Sequence, residues 1–147
     1  MRHPTHFATG LAALGFALVA TVASADESAF RLVVNASNGI TSLTRDEVSQ
    51  YFLKKRPTWP AGQSVQPVDQ VDESAVRRAF SKAVLKKDVG AVKSYWQTQI
   101  FAGRGVPPPE KASDAALLAF VEANPGAIGY VSADASMGRS VKEVRVD

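Results

Sequence analysis

The stretch Val65-Gln-Pro-Val-Asp-Gln-Val-Asp-Glu-Ser-Ala-Val-Arg-Arg-Ala-Phe80 decides how the chain folds. Its first half alternates and predicts a short strand through Val65, Pro67, Val68, Gln70 and Val71, with the proline early, where a ladder tolerates it. Its second half predicts a helix, with Asp72 or Ser74 at the N-cap and Val76, Phe80, Ala83 and Val84 on one face. A strand that delivers its end into a helix N-terminus gathers unpaired backbone N–H groups at one point. The positive end of the helix dipole lies at the same point, so it attracts anions. The stretch therefore offers a candidate oxyanion seat.

Toward the N-terminus, Phe30 to Asn35 predicts a strand whose consecutive Leu32, Val33 and Val34 are buried on both faces. Ala36 to Ile40 is turn chemistry; Asn38-Gly39 could close a hairpin, but no alternating partner follows, so a loop is expected. Thr44-Arg-Asp-Glu47 is a capping box flanked by a Leu43–Val48 hydrophobic staple. It opens a helix with Val48, Tyr51 and Phe52 inward, ending near Lys54-Lys55-Arg56 and stopped by Pro57. The basic triplet reads first as a helix end and second as a patch facing a partner. Trp59, in a turn beside Pro60, reads as a plug at the edge of the core.

Toward the C-terminus, Asp88 caps a helix over 89–99, with Val92, Tyr95, Trp96 and Ile100 as an inward stripe. The Gly- and Pro-rich loop 101–109 meets neither phosphate-loop fingerprint. Its Arg104 could swing toward an anion, although a solvated side chain is the simpler reading. Ser113 caps a further helix with Leu117, Phe120 and Val121 on its face, which Asn124-Pro125-Gly126 stops. Residues 127–131 predict a buried strand in which Gly129 permits close backbone approach. Residues 141–146 predict an alternating strand, apolar at Val144 and Val146. Strands interleaved with helices predict one α/β domain, three-layer-like, with a small mixed sheet flanked by helices.

Composition narrows the chemistry. Arg2, the apolar run from Leu11 to Val22 and Ala23-Ser24-Ala25 form a secretory signal peptide over residues 1–25, with cleavage expected before Asp26. The mature domain is then 26–147, exported to the periplasm, with no membrane span after cleavage. The leader holds one of the 17 Lys and Arg and none of the 14 Asp and Glu, so the remainder is only weakly basic. Its charges are interspersed and show no nucleic-acid stripe. Both histidines, His3 and His6, lie in the leader, and the chain has no cysteine. A Ser-His-Asp triad, a Cys-His dyad and the usual zinc sites are thereby excluded from the mature domain, and no enzyme, metal or cofactor is expected.

Several blocks occur in an order that resembles the periplasmic phosphate-binding proteins of ABC transporters, within the type II periplasmic binding-protein superfamily. They are Leu43 to Val48, Tyr51-Phe52, Trp59 to Gly62, Pro67 to Asp69, Asp72 to Ser74, Phe80, Tyr95-Trp96, Phe101 to Gly103 and Asn124 to Val131. The last block is the most specific. The resemblance implies one lobe of a two-lobed receptor, and a family motif Arg-x-Asp-Gly-Ser-Gly-Thr that grips phosphate at a helix start. On that motif Gln70 takes the Arg place, Asp72 the Asp place and Ser74 the Ser place. Glu73 and Ala75 replace the two glycines, and Val76 replaces the threonine. The ligand-binding residues implied are Gln70, Asp72, Ser74, Ala75 and Val76, with phosphate or a similar oxyanion as ligand. Loss of the arginine removes a charge-assisted contact of roughly 1.5–3 kcal/mol, and Glu73 repels a dianion. Arg77 and Arg78 could compensate in part, although surface-facing arginines are the simpler account. The implied partners are an ABC transporter permease, another periplasmic protein or a second copy of the chain. The competing expectation is an interaction or sensory accessory module that has lost anion binding.

Overall fold

The computed structural model describes residues 29–147, so the leader read at residues 1–25 lies outside the described residues. In chain order these form β1 (Arg31–Asn35), β2 (Ser42–Leu43), α1 (Arg45–Phe52), β3 (Gln66–Pro67), β4 (Asp69–Gln70) and α2 (Ala75–Phe80). A π-helical turn (Ser81–Leu85) continues α2, and α3 (Val89–Phe101), β5 (Glu110–Lys111), α4 (Asp114–Ala123), β6 (Ala127–Val131) and β7 (Val141–Val146) follow.

Three consecutive apolar residues place β1 at the centre of a five-stranded sheet ordered β2-β7-β1-β6-β3. It runs antiparallel to both neighbours, while β2 and β3 add parallel edges, so the sheet is mixed. Leu32, Val34, Ile128, Tyr130 and Val144 point to one face, where they pack with Val48, Phe52, Phe80 and Trp96 of the first three helices. Val33, Val131 and Val141 point to the other, against Leu117 and Val121 of α4. The result is the expected helix–sheet–helix layering. Gly129 sits where a Cβ would come within 2.7 Å of Leu117 Cδ2 and 2.9 Å of Val68 Cγ1, so its lack of a side chain lets Leu117 of α4 and Val68 close on β6.

Local signals hold where they are self-contained. Glu47 N–H donates to Thr44 Oγ1 at 3.2 Å and Thr44 N–H to Glu47 Oε2 at 2.9 Å, which completes the capping box. Trp59 is buried and its indole N–H donates to Gly126 O at 3.0 Å, as a core plug should. Ser74, rather than Asp72, is the N-cap of α2.

Other expectations are corrected by tertiary pairing. The run Val65 to Val71 is two short strands, not one. Val68 N–H donates to Ile128 O at 2.9 Å, after which Asp69 N–H turns away to Pro109 O at 2.9 Å. Residues Asp69 and Gln70 thereby leave the main sheet and pair parallel with β5. Helix α1 ends at Phe52, and Lys54 turns left-handed at φ 55, so the basic triplet follows the helix instead of finishing it. Helix α3 runs on to Phe101. Its stripe buries Val92 and Trp96, but Ile100 is 52% exposed.

Candidate functional site

The turn between β4 and α2 is filled by its own side chains. Gln70 is buried, and its Nε2 donates to Asp114 Oδ1 at 2.8 Å and to Tyr130 O at 3.1 Å. Its Oε1 accepts from the Ser74 hydroxyl at 2.8 Å. That hydroxyl also accepts the Arg77 N–H at 3.3 Å, so its donor and its capping lone pair are both engaged. The residue that the resemblance sets in the place of an arginine is here an amide folded inward.

Arg77 is the second departure from expectation. It is only 3% exposed, not surface-facing. Side chains on a helix lean toward its N-terminus, and Arg77, three residues past the cap, reaches back over the first turn. Its guanidinium donates to the Gln70 carbonyl, and lies 3.3 Å from Asp69 Oδ1, 3.2 Å from Glu110 Oε1 and 3.8 Å from Asp72 Oδ1. Asp69, itself buried, also accepts the Tyr130 hydroxyl and the Gln70 N–H at 3.0 Å. Burial raises the Asp69 carboxyl above its ordinary value; the Arg77 charge, the Tyr130 hydroxyl and the Gln70 N–H oppose that without cancelling it. Burial, and then the Asp69 charge, push the Tyr130 phenol far up, so Tyr130 remains a protonated donor. Lys93 pairs with Asp72 Oδ2. Three carboxylates thus face two cations, and the cluster is net negative.

Of the residues the resemblance implies, Gln70, Asp72 and Ser74 converge on this cluster. Ala75 is exposed beside it, and Val76 is core, 8% exposed. Arg78 is exposed and donates to Glu73 O at 2.9 Å, as a surface arginine does. Asp69, Arg77, Lys93, Glu110 and Tyr130 complete the cluster. Only the N-terminal lean of Arg77 was there to be read in the sequence.

A cavity of about 320 Å³ opens beside it, between Asp69, Arg77, Lys93 and Glu110 on one side and Trp96 and Pro107 on the other. Ile100 (52% exposed) also lines it, and beyond it Phe101 (92%) and Val106 (61%) are exposed at the end of α3 and in the following loop. Within the cluster one enclosed polar atom, Asp72 Oδ1, has no hydrogen bond. It is an acceptor, and invites a donor and not an oxyanion. Among the described residues no group of three or more His, Cys, Asp and Glu is arranged to hold a metal, and no helix is long and apolar enough to cross a membrane.

The fold is similar to that of a phosphate ABC transporter substrate-binding protein from Clostridium perfringens, solved with bound phosphate. The TM-score is 0.61 at 22% identity, covering 81% of this chain and 45% of that one. An ABC-type phosphate transport receptor from Vibrio cholerae gives 0.62 at 20% identity, over 80% of this chain and 46% of that one. PstS from Borrelia burgdorferi gives 0.61 at 13% identity, over 81% and 47%. The chain therefore spans less than half the length of each of these proteins, and the likeness is one of fold. No family model and no curated protein matches it.

Proposed function

We propose that the chain is an exported, periplasmic module built on one lobe of the solute-binding-protein fold, and that it works by engaging a partner protein. The observation that carries this reading is the filled turn. Gln70 and Ser74 satisfy each other, and Asp69, Asp72 and Glu110 compensate Arg77. An incoming oxyanion would have to break those bonds and approach three carboxylates. The adjacent exposed Ile100, Phe101 and Val106 supply the apolar area that a protein contact uses. A transporter permease, another periplasmic protein or a second copy of the chain would meet that face.

The second reading, weak binding of phosphate or a similar oxyanion at the start of α2, is favoured by the fold shared with a phosphate-bound receptor. Thermal unfolding with and without millimolar phosphate, sulfate and arsenate separates the two. A ligand at about 100 times its dissociation constant stabilises by roughly 2.7 kcal/mol. The expected outcome is no shift with any of the three, together with a cross-linked partner adduct in the cell envelope that Phe101→Ser abolishes. A phosphate-dependent shift that Ser74→Ala removes would establish the second reading.

A further inference from the structure

At the far end of the α2 helix the charge pattern is reversed. Arg78 on α2, Lys82 on the π turn that continues it and Lys86 just past that turn recur at four-residue spacing. Together with Lys87 and the start of α3 they line a groove of about 740 Å³. Its backbone is unusual. The helix widens into a π turn over Ser81–Leu85, and Lys86 then adopts the left-handed conformation at φ 56. The buried Ser81 fastens this arrangement: its hydroxyl donates to Lys87 O at 2.7 Å, and Lys87 N–H donates to Ser81 O at 3.4 Å. Lys87 is thereby brought back beside the face that carries Arg78 and Lys82.

Among the described residues, no carboxylate forms an ion pair with Lys82, Lys86 or Lys87. The one acid in the groove, Asp88, turns its carboxylate to the Ala91 N–H at 2.7 Å, where it caps α3. Cations do favour a helix C-terminus, yet that effect is weak at an exposed surface and falls off within the last turn, which Lys86 and Lys87 lie beyond. Here four cations share one concavity and repel one another, and an anionic occupant would relieve that repulsion.

We propose that this groove docks an acidic segment of a partner protein, one with several carboxylates separated by apolar residues. A lone tetrahedral anion cannot reach four cations spread around a groove of this volume. Val89 and Gly90 line the groove beside the cations, and the aliphatic stems of lysines can cover apolar groups, which suits apolar side chains between the charges better than a bare polyphosphate. A membrane presents a plane of charge, which does not enter a concavity. The inference is independent of the apolar face at Phe101, so either can fail alone.

The test is fluorescence anisotropy of the purified protein with a short labelled peptide that alternates glutamate and leucine. Inorganic polyphosphate and vesicles of pure phosphatidylglycerol serve as competitors. The expected result is salt-sensitive binding that weakens by about tenfold in the Lys82→Ala, Lys86→Ala, Lys87→Ala variant and survives when the same three become arginine. Phe101→Ser should leave peptide binding unchanged. Should the triple variant misfold, Lys82→Ala alone should still weaken binding by a few fold. Equal binding by wild type and the lysine variants would overturn the proposal. So would tighter binding of polyphosphate or of the vesicles than of the peptide.

Discussion

At its N-terminal end the α2 helix encloses Arg77 among Asp69, Asp72 and Glu110, whereas past its C-terminal end Lys82, Lys86 and Lys87 gather around a single acid already committed to a cap. The difference follows burial. A guanidinium removed from water must be compensated within the protein, and such a compensated cluster has little left to offer a ligand. Ammonium groups at the surface are hydrated, so they can stay unpaired and keep their attraction for a partner. Likeness of fold does not tell whether the turn before α2 stands open or, as here, is filled by its own side chains.

The largest expected effect comes from breaking the enclosed end. Arg77→Met leaves the Asp69 carboxylate buried without its cation and should destabilise by about 3–5 kcal/mol in urea unfolding. Adding Asp69→Asn should restore a large part of that loss. A cost below 1 kcal/mol for the single variant would mean that the cluster is not internally compensated. The same pair sets a pH dependence. Because burial raises the Asp69 carboxyl above its ordinary value of 3.8, the folded state holds that proton more tightly than the unfolded chain. Stability from this group is therefore greatest below 3.8 and falls as pH rises through the folded value, and Asp69→Asn should flatten the fall.

A smaller loss tests the plug itself. Gln70→Ala deprives the Ser74 hydroxyl of its acceptor and removes one donor each from Asp114 Oδ1 and the Tyr130 carbonyl, and should cost about 1–3 kcal/mol in the same measurement. Ser74→Ala removes the cap of α2 and should cost about 1 kcal/mol. At the open end the comparison sharpens by a change of sign. Lys86→Gly relieves the left-handed backbone and should raise stability by up to about 1 kcal/mol, read as an increase in melting temperature. Lys82→Ala should change stability by less than about 0.5 kcal/mol.

Features fixed by near neighbours were legible in the sequence. Thr44 and Glu47 form their box within one helical turn, Ser113 and Asp88 cap as their positions require, and three successive apolar residues put β1 in the middle of the sheet. Gly129 in a buried strand correctly signalled close approach. What escaped depends on distant partners. Strands β2 and β5 are two residues long and carry no periodicity of their own, and β4 leaves the main sheet because Pro109 and Lys111 lie beside it. The burial of Arg77 rests on Glu110, which comes from the far strand of that pairing. The basic groove is a different case. The spacing of Arg78, Lys82 and Lys86 was visible, but it does not show that a π turn and a left-handed Lys86 bring them around one groove with Lys87.

Tyr130 has a consequence of its own. Its ring stacks on Phe80 with centroids 3.9 Å apart, while its hydroxyl holds Asp69. One residue therefore belongs to both the apolar interior and the polar turn, and neither can loosen by itself. Amide hydrogen exchange at Gln70 should consequently proceed at the rate of the slowest core strands, which would make the turn one of the most rigid parts of the molecule.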